Sequence, residues 1–128
     1  MIKGLESLLI GSANAKTLAA FYREKVGLKQ TAEMEIGDKD EKGFEFELGK
    51  GPGIFITDHS EVSGKSPNPQ RVIFNLETTN MEEDAKTLEN AGVKVVTETY
   101  HVESYGLITT FEDVDGNYFQ LVQVKEAE

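Results

Sequence analysis

The sequence predicts an α+β fold in which two paired βαβββ modules form a curved mixed sheet. Three observations carry this expectation. Apolar periodicity runs strand, helix, strand, strand, strand, and then repeats in that order. Gly27 and Gly92 close the two helices about 65 residues apart. A polar stretch, Asp58–Gln70 (DHSEVSGKSPNPQ), stands between the halves as a linker and holds two of the three prolines. The expected organisation is a single domain, 1–128, with module one over about 1–58, a linker over about 59–69 and module two over about 70–125. Residue identity between the halves is poor, so the repeat is one of element order. Helices would cover one face of the sheet and leave the other curved and open.

In the first half, GLESLLIG (Gly4–Gly11) is a short strand. Ser12 and Asn14 offer cap oxygens, and Leu18, Phe21, Tyr22 and Val26 then fall on one helical face. Gly27 suits a left-handed helix end. Leu28–Ile36 is a strand, GDKDEKG a turn, and Phe44–Leu48 a half-buried strand whose Phe/Glu alternation gives one wet face. Ile54–Thr57 closes the module. In the second half Arg71–Leu76 is a strand, and Asn80 with Glu83 has capping-box spacing. Met81, Ala85 and Leu88 form the helix stripe and Gly92 ends it. Strands follow at Val93–Glu98, Leu107–Phe111 and Tyr118–Val124, the last two joined by the Asp113–Asn117 turn.

Composition excludes several function classes. Thirteen basic against 23 acidic residues give a net charge of −10, which argues against a nucleic-acid face. That balance suits solubility or the attraction of a cationic ligand. No apolar run is long enough for a membrane helix, and the N-terminus reads as a strand rather than a signal peptide. With no cysteine there is neither a disulfide framework nor a thiolate metal site, and a cytoplasmic location is the default expectation. There is no G-x-S-x-G and no P-loop, and GKGPG has no following helix to cradle phosphate.

The element order and three local motifs resemble the vicinal oxygen chelate superfamily, which includes glyoxalase I, bleomycin-resistance proteins, fosfomycin-resistance enzymes and extradiol dioxygenases. The motifs are AKTLAAFYREKVGLK, RVIFNLETTN and YGLITTFEDVDGNYFQLVQ. The resemblance covers essentially the whole chain. It implies a cup with four inward positions, which metal-dependent members fill with His, Glu or Gln. Here those positions are Ser7, Phe55, Arg71 and Gln120. Phe cannot coordinate, Arg is a fixed cation without a lone pair, and Ser with one amide oxygen is a weak set. The expectation is that the metal site is absent and that no cofactor is bound. The resemblance also implies a homodimer.

If the mapping holds, Arg71, Ile73 and Asn75 face the cup while Val72, Phe74 and Leu76 face the helices. Arg71 would then fork onto a ligand carboxylate or phosphate, or else pair internally with a Glu or sit at a dimer contact. Buried there, it needs an anion beside it. Phe55, Tyr118 and Phe44 or Phe46 line a pocket or are plain core. Tyr105 stands where family members often present a ligand-contacting loop, and the alternative is an exposed loop tyrosine. His59 and His101 read as solvated loop histidines. His101 would share a face with Glu103 if that segment is extended, whereas Asp58 and His59 face opposite ways.

The ligand-binding set expected from all this is Ser7, Phe55, Arg71, Asn75, Tyr105, Tyr118 and Gln120. The leading function is a metal-independent small-molecule-binding protein that sequesters a ligand, such as an antibiotic, in a cup or dimer groove. The alternative is a glyoxalase-like lyase or isomerase, or a dioxygenase-related enzyme, with a non-standard or absent metal site. No residue in the set is an obvious general base. A regulatory module with a vestigial cup is a third reading.

Overall fold

The computed structural model describes residues 1–37 and 40–125. The chain divides into two compact units, Met1–Gly64 and the residues from Lys65 onward. The first unit contains β1 (Ser7–Ser12), α1 (Ala15–Ala20), β2 (Lys29–Ile36), β3 (Glu41–Glu47) and β4 (Gly53–Asp58). Its sheet order is β1-β4-β3-β2, with β1 parallel to β4 and the other pairs antiparallel. The second unit contains β5 (Phe74–Glu77), α2 (Met81–Asn90), β6 (Lys94–Val102), β7 (Gly106–Glu112) and β8 (Tyr118–Val124), in the order β5-β8-β7-β6. Each unit is therefore a βαβββ module, and the α+β class stands. The single parallel pair in each sheet follows from the topology, because parallel strands need a crossover.

Both helices start the same way. A hydroxyl at the end of the first strand accepts the N–H of the cap residue: Ser12 from Asn14 at 3.0 Å, and Thr78 from Asn80 at 3.0 Å. The Asn side chain then accepts an N–H from the first turn, from Thr17 or from Glu83, at 3.2 Å in each case. A side chain from the far strand takes the first helical N–H: Asp58 from Ala15, and Gln123 from Met81. This shared cap is the physical content of the repeat. The capping-box expectation needs one correction. Glu83 Oε2 accepts from the Asn80 side-chain amide, because the Asn80 backbone N–H is already given to Thr78.

In the first unit Leu18, Ala19 and Tyr22 are buried with Phe44, Phe46, Ile54 and Ile56. Phe44 and Phe46 are paired in register with Ile56 and Ile54 and both are buried on the core face, and Phe46 also lines the depression beside Phe55. In the second unit Met81, Ala85 and Leu88 are buried with Phe111, Phe119 and Leu121. The Phe119 ring stacks on Phe74 at 6.0 Å and on Phe111 at 5.7 Å.

Several boundaries differ from the expected ones. Helix α1 spans only six residues before the backbone widens into a π-helical stretch, Phe21–Val26. That stretch ends where Gly27 takes φ 85°. Strand β3 begins at Glu41, and Asp38 and Lys39 of the expected turn lie outside the described residues. Strand β5 begins at Phe74, because Pro69–Arg71 closes a 3-10 turn in which Arg71 N–H donates to Asn68 O. Strand β6 runs on to Val102, since no turn former interrupts Thr99-Tyr100-His101-Val102.

Candidate functional site

Strand alternation sorts each sheet into a helix-covered face and an opposite face. In the first unit Ser7, Leu9, Phe55 and Glu45 take the face away from α1, by register with Gly53, Phe55 and Glu45 in turn. Leu9 is 64% exposed, a large apolar side chain left on that face. The Phe55 ring lies across Gly43: a β-carbon built there would meet Phe55 Cζ and Ile36 Cδ1, each at 2.5 Å. Glycine at 43 is thus what lets the ring lie against the sheet. A depression of about 340 Å³ opens beside it, lined by Glu6, Ser7, Glu45, Glu47 and Phe55 among others.

In the second unit the face away from α2 carries Asn75 on β5, Tyr118, Gln120 and Val122 on β8, and Ile108 and Thr110 on β7. Asn75, Gln120 and Thr110 are register partners across three adjacent strands and form a ladder of side-chain hydrogen bonds. Thr110 Oγ1–H donates to Gln120 Oε1 at 2.8 Å. Gln120 Nε2–H donates to Asn75 Oδ1 at 2.8 Å. Thr110 is buried, Gln120 half-buried and Asn75 exposed, so the ladder runs from the interior outwards. Tyr100 on β6 pairs with Ile108 on the same face.

The donor set does not fit a divalent ion. Phe55 has no donor atom, and its ring is held against Gly43. Gln120 has its amide oxygen engaged by Thr110 and its nitrogen by Asn75. Arg71 departs from its expected place. It is exposed, at the end of the 3-10 turn, and precedes the strand it was meant to open. It therefore needs no buried counter-ion, and its side chain forms no ion pair among the described residues. Val72 is 67% exposed rather than turned to the helices. Among the described residues, no group of three or more His, Asp or Glu could hold a metal ion.

The other candidates are placed as follows. Tyr105 is half-buried in the turn between β6 and β7, with its carbonyl accepting from Lys125 N–H at 2.7 Å. His59 is exposed and its Nδ1 accepts from Glu61 N–H. Asp58 spends its carboxylate on Ala15 and Lys42 N–H groups. His101 lies on β6 opposite Leu107 rather than in a loop, and Glu103 falls in the turn beyond it. No described helix is long and apolar enough to cross a membrane. The sequence reading missed Thr110 and Gly43. A strand threonine carries no signal by itself, and Gly43 falls in the expected GDKDEKG turn, so it reads as a close-approach glycine only once β3 is seen to begin at Glu41.

A family model described as a glyoxalase-like domain matches residues 7–122. The chain belongs to that family. Among curated proteins there is no match. As a glyoxalase-like protein it shares its fold with a glyoxylase/bleomycin resistance protein/dioxygenase domain from Frankia sp. EAN1pec: TM-score 0.78, 18% identity, 100% of this chain and 96% of that one. TnmS3, an antibiotic binding protein from Streptomyces sp. CB03234, has TM-score 0.73 and 21% identity, over 97% of this chain and 98% of that one. The fosfomycin resistance protein FosX from Listeria monocytogenes has TM-score 0.72 and 21% identity, over 98% and 96%. At these identities the likeness is one of fold.

Proposed function

We propose that this glyoxalase-like protein binds and sequesters a small molecule without a metal, the candidate contacts being Ser7 and Phe55 in the first unit and Arg71, Asn75, Tyr105, Tyr118 and Gln120 in the second. The observation that carries the reading is the state of Gln120. At the position where the resemblance puts a metal-ligating Glu or Gln, the amide is tied on both ends to Thr110 and Asn75. Those bonds favour an organic ligand held by amide groups and aromatic rings over an ion. A net charge of −10 and the acidic depression by Phe55 favour ligands that are not strongly anionic. The antibiotic-binding and resistance neighbours supply the ligand class to try first. On the resemblance and the cysteine-free sequence, we take the working form as a cytoplasmic homodimer, which sedimentation analysis checks.

Two measurements test the proposal. Elemental analysis after incubation with zinc, nickel or manganese should find no stoichiometric ion. A tightly held ion that is lost in Gln120→Ala overturns the reading. A thermal-shift screen of antibiotics should find a ligand that stabilises the fold. At a hundred times its dissociation constant such a ligand adds about 2.7 kcal/mol. A shift that survives Gln120→Ala and Asn75→Ala undiminished places the ligand elsewhere.

A further inference from the structure

We infer that the Thr110–Gln120–Asn75 ladder has a direction, and that this direction selects a ligand bearing a neutral carbonyl oxygen on an apolar, aromatic body. The inference rests on the reading that this face takes the ligand, and it deepens that reading by naming the ligand's chemistry.

The ladder starts at a buried hydroxyl and ends at an exposed amide. Thr110 donates to the Gln120 oxygen, and Gln120 donates to the Asn75 oxygen. Every link passes a hydrogen in the same sense, so each amide is polarised by the one before it and the final N–H groups become stronger donors. Those final groups are both hydrogens of Asn75 Nδ2 and the second hydrogen of Gln120 Nε2, and none has a partner among the described residues. The two amide oxygens have each already accepted one bond. An under-used carbonyl is tolerated more readily than an orphaned N–H. Closing a ligand over this strip therefore demands acceptors from it, not donors.

The neighbours set the rest of the chemistry. Tyr118 and Tyr100 share the face and offer ring surface, while Ile108 and Val122 on the same face are buried. Its acids are Glu77, two residues beyond Asn75 on β5, and Glu112, which faces Tyr118 and pairs with Lys94 at 3.7 Å. Like charge from these carboxylates disfavours an anion. The acceptor that fits is a neutral carbonyl.

The test compares two probes on one skeleton, acetophenone and 1-phenylethylamine. The first is acceptor-only. The second is a cationic donor at neutral pH, which the protein's net charge alone would favour. Side-chain amide resonances of ¹⁵N-labelled protein report Asn75 and Gln120 directly. Acetophenone should shift both pairs of signals, and 1-phenylethylamine should not. Asn75→Asp separates direction from packing, because a carboxylate still accepts the Gln120 N–H but has no hydrogen to give. That variant should keep the thermal midpoint and weaken acetophenone roughly tenfold, as one lost hydrogen bond does. If the amine shifts the amides and the ketone does not, the direction is overturned while the ligand face stands. If Asn75→Asp lowers the midpoint, as a carboxylate left facing the Gln120 oxygen would, the ladder runs the other way. If neither probe moves either amide, the ligand-face reading falls and this inference falls with it.

Discussion

Asp58 and Gln123 do the same job in the two modules: each reaches from its module's last strand to accept the first N–H of its helix, from Ala15 at 2.8 Å and from Met81 at 2.7 Å. The carboxylate does more than the amide, because Asp58 also accepts the Lys42 N–H at 2.9 Å. Asp58→Ala should therefore destabilise the protein by about 2–3 kcal/mol and Gln123→Ala by about 1–2 kcal/mol in urea unfolding. Equal costs would mean that the Lys42 bond contributes nothing.

Gly43 and Gly106 are both intolerant of a side chain, for different reasons. A β-carbon at 43 meets the far ends of Phe55 and Ile36, which can swing aside. A β-carbon at 106 would press on the backbone oxygen of Gln123 at 2.0 Å, with φ at 143°. Gly43→Ala should cost about 1–2 kcal/mol, and much less in a Phe55→Leu background. Gly106→Ala should cost more than about 3 kcal/mol or prevent folding. Denaturant melts of the three variants and the double mutant check the order. An unchanged Gly43→Ala penalty in the Phe55→Leu background would show that the ring is not what fills the space.

Placing a carboxylate at position 120 should not create a metal site. Gln120→Glu supplies one good ligand, but Phe55 still has no donor and Arg71 no lone pair. Titration calorimetry with zinc, nickel or manganese should show no saturable binding near one equivalent. Stoichiometric binding would mean that other donors complete the sphere.

Arg71 is exposed and outside β5, so Arg71→Ala should move stability by no more than about 0.5 kcal/mol in chemical denaturation. A larger loss would point to an ion pair on which the fold depends. If Arg71 serves the ligand, the same variant lowers ligand affinity with the melt unchanged.

That Ser7, Phe55, Arg71 and Gln120 together carry few electron-pair donors is a matter of side-chain chemistry, and so it is legible in the sequence. Gly27, Asn14 and Asn80 were legible too, because caps and left-handed helix ends are local. Strand β8 was read to its residue limits, since the Asp113–Asn117 turn fixes its start and alternation fixes its faces. The start of β5 was misread by three residues. Arg71-Val72-Ile73 alternates like a strand, but a 3-10 turn begun at Pro69 holds Arg71 short of the sheet.

The order of strands and helices, and the local Asn14 and Asn80 caps, were determined by the sequence alone, because periodicity and hydrogen-bonding propensity act over a few residues, whereas the Asp58 and Gln123 contacts that complete those caps were not. Tertiary structure decided which polar groups meet. Asn75 and Gln120 are 45 positions apart, and only parallel pairing of β5 with β8 makes them register partners. Thr110 joins them through a second, antiparallel register. Cross-strand register depends on how whole sheets close, so no stretch of sequence states that an amide at 120 will be held from both sides.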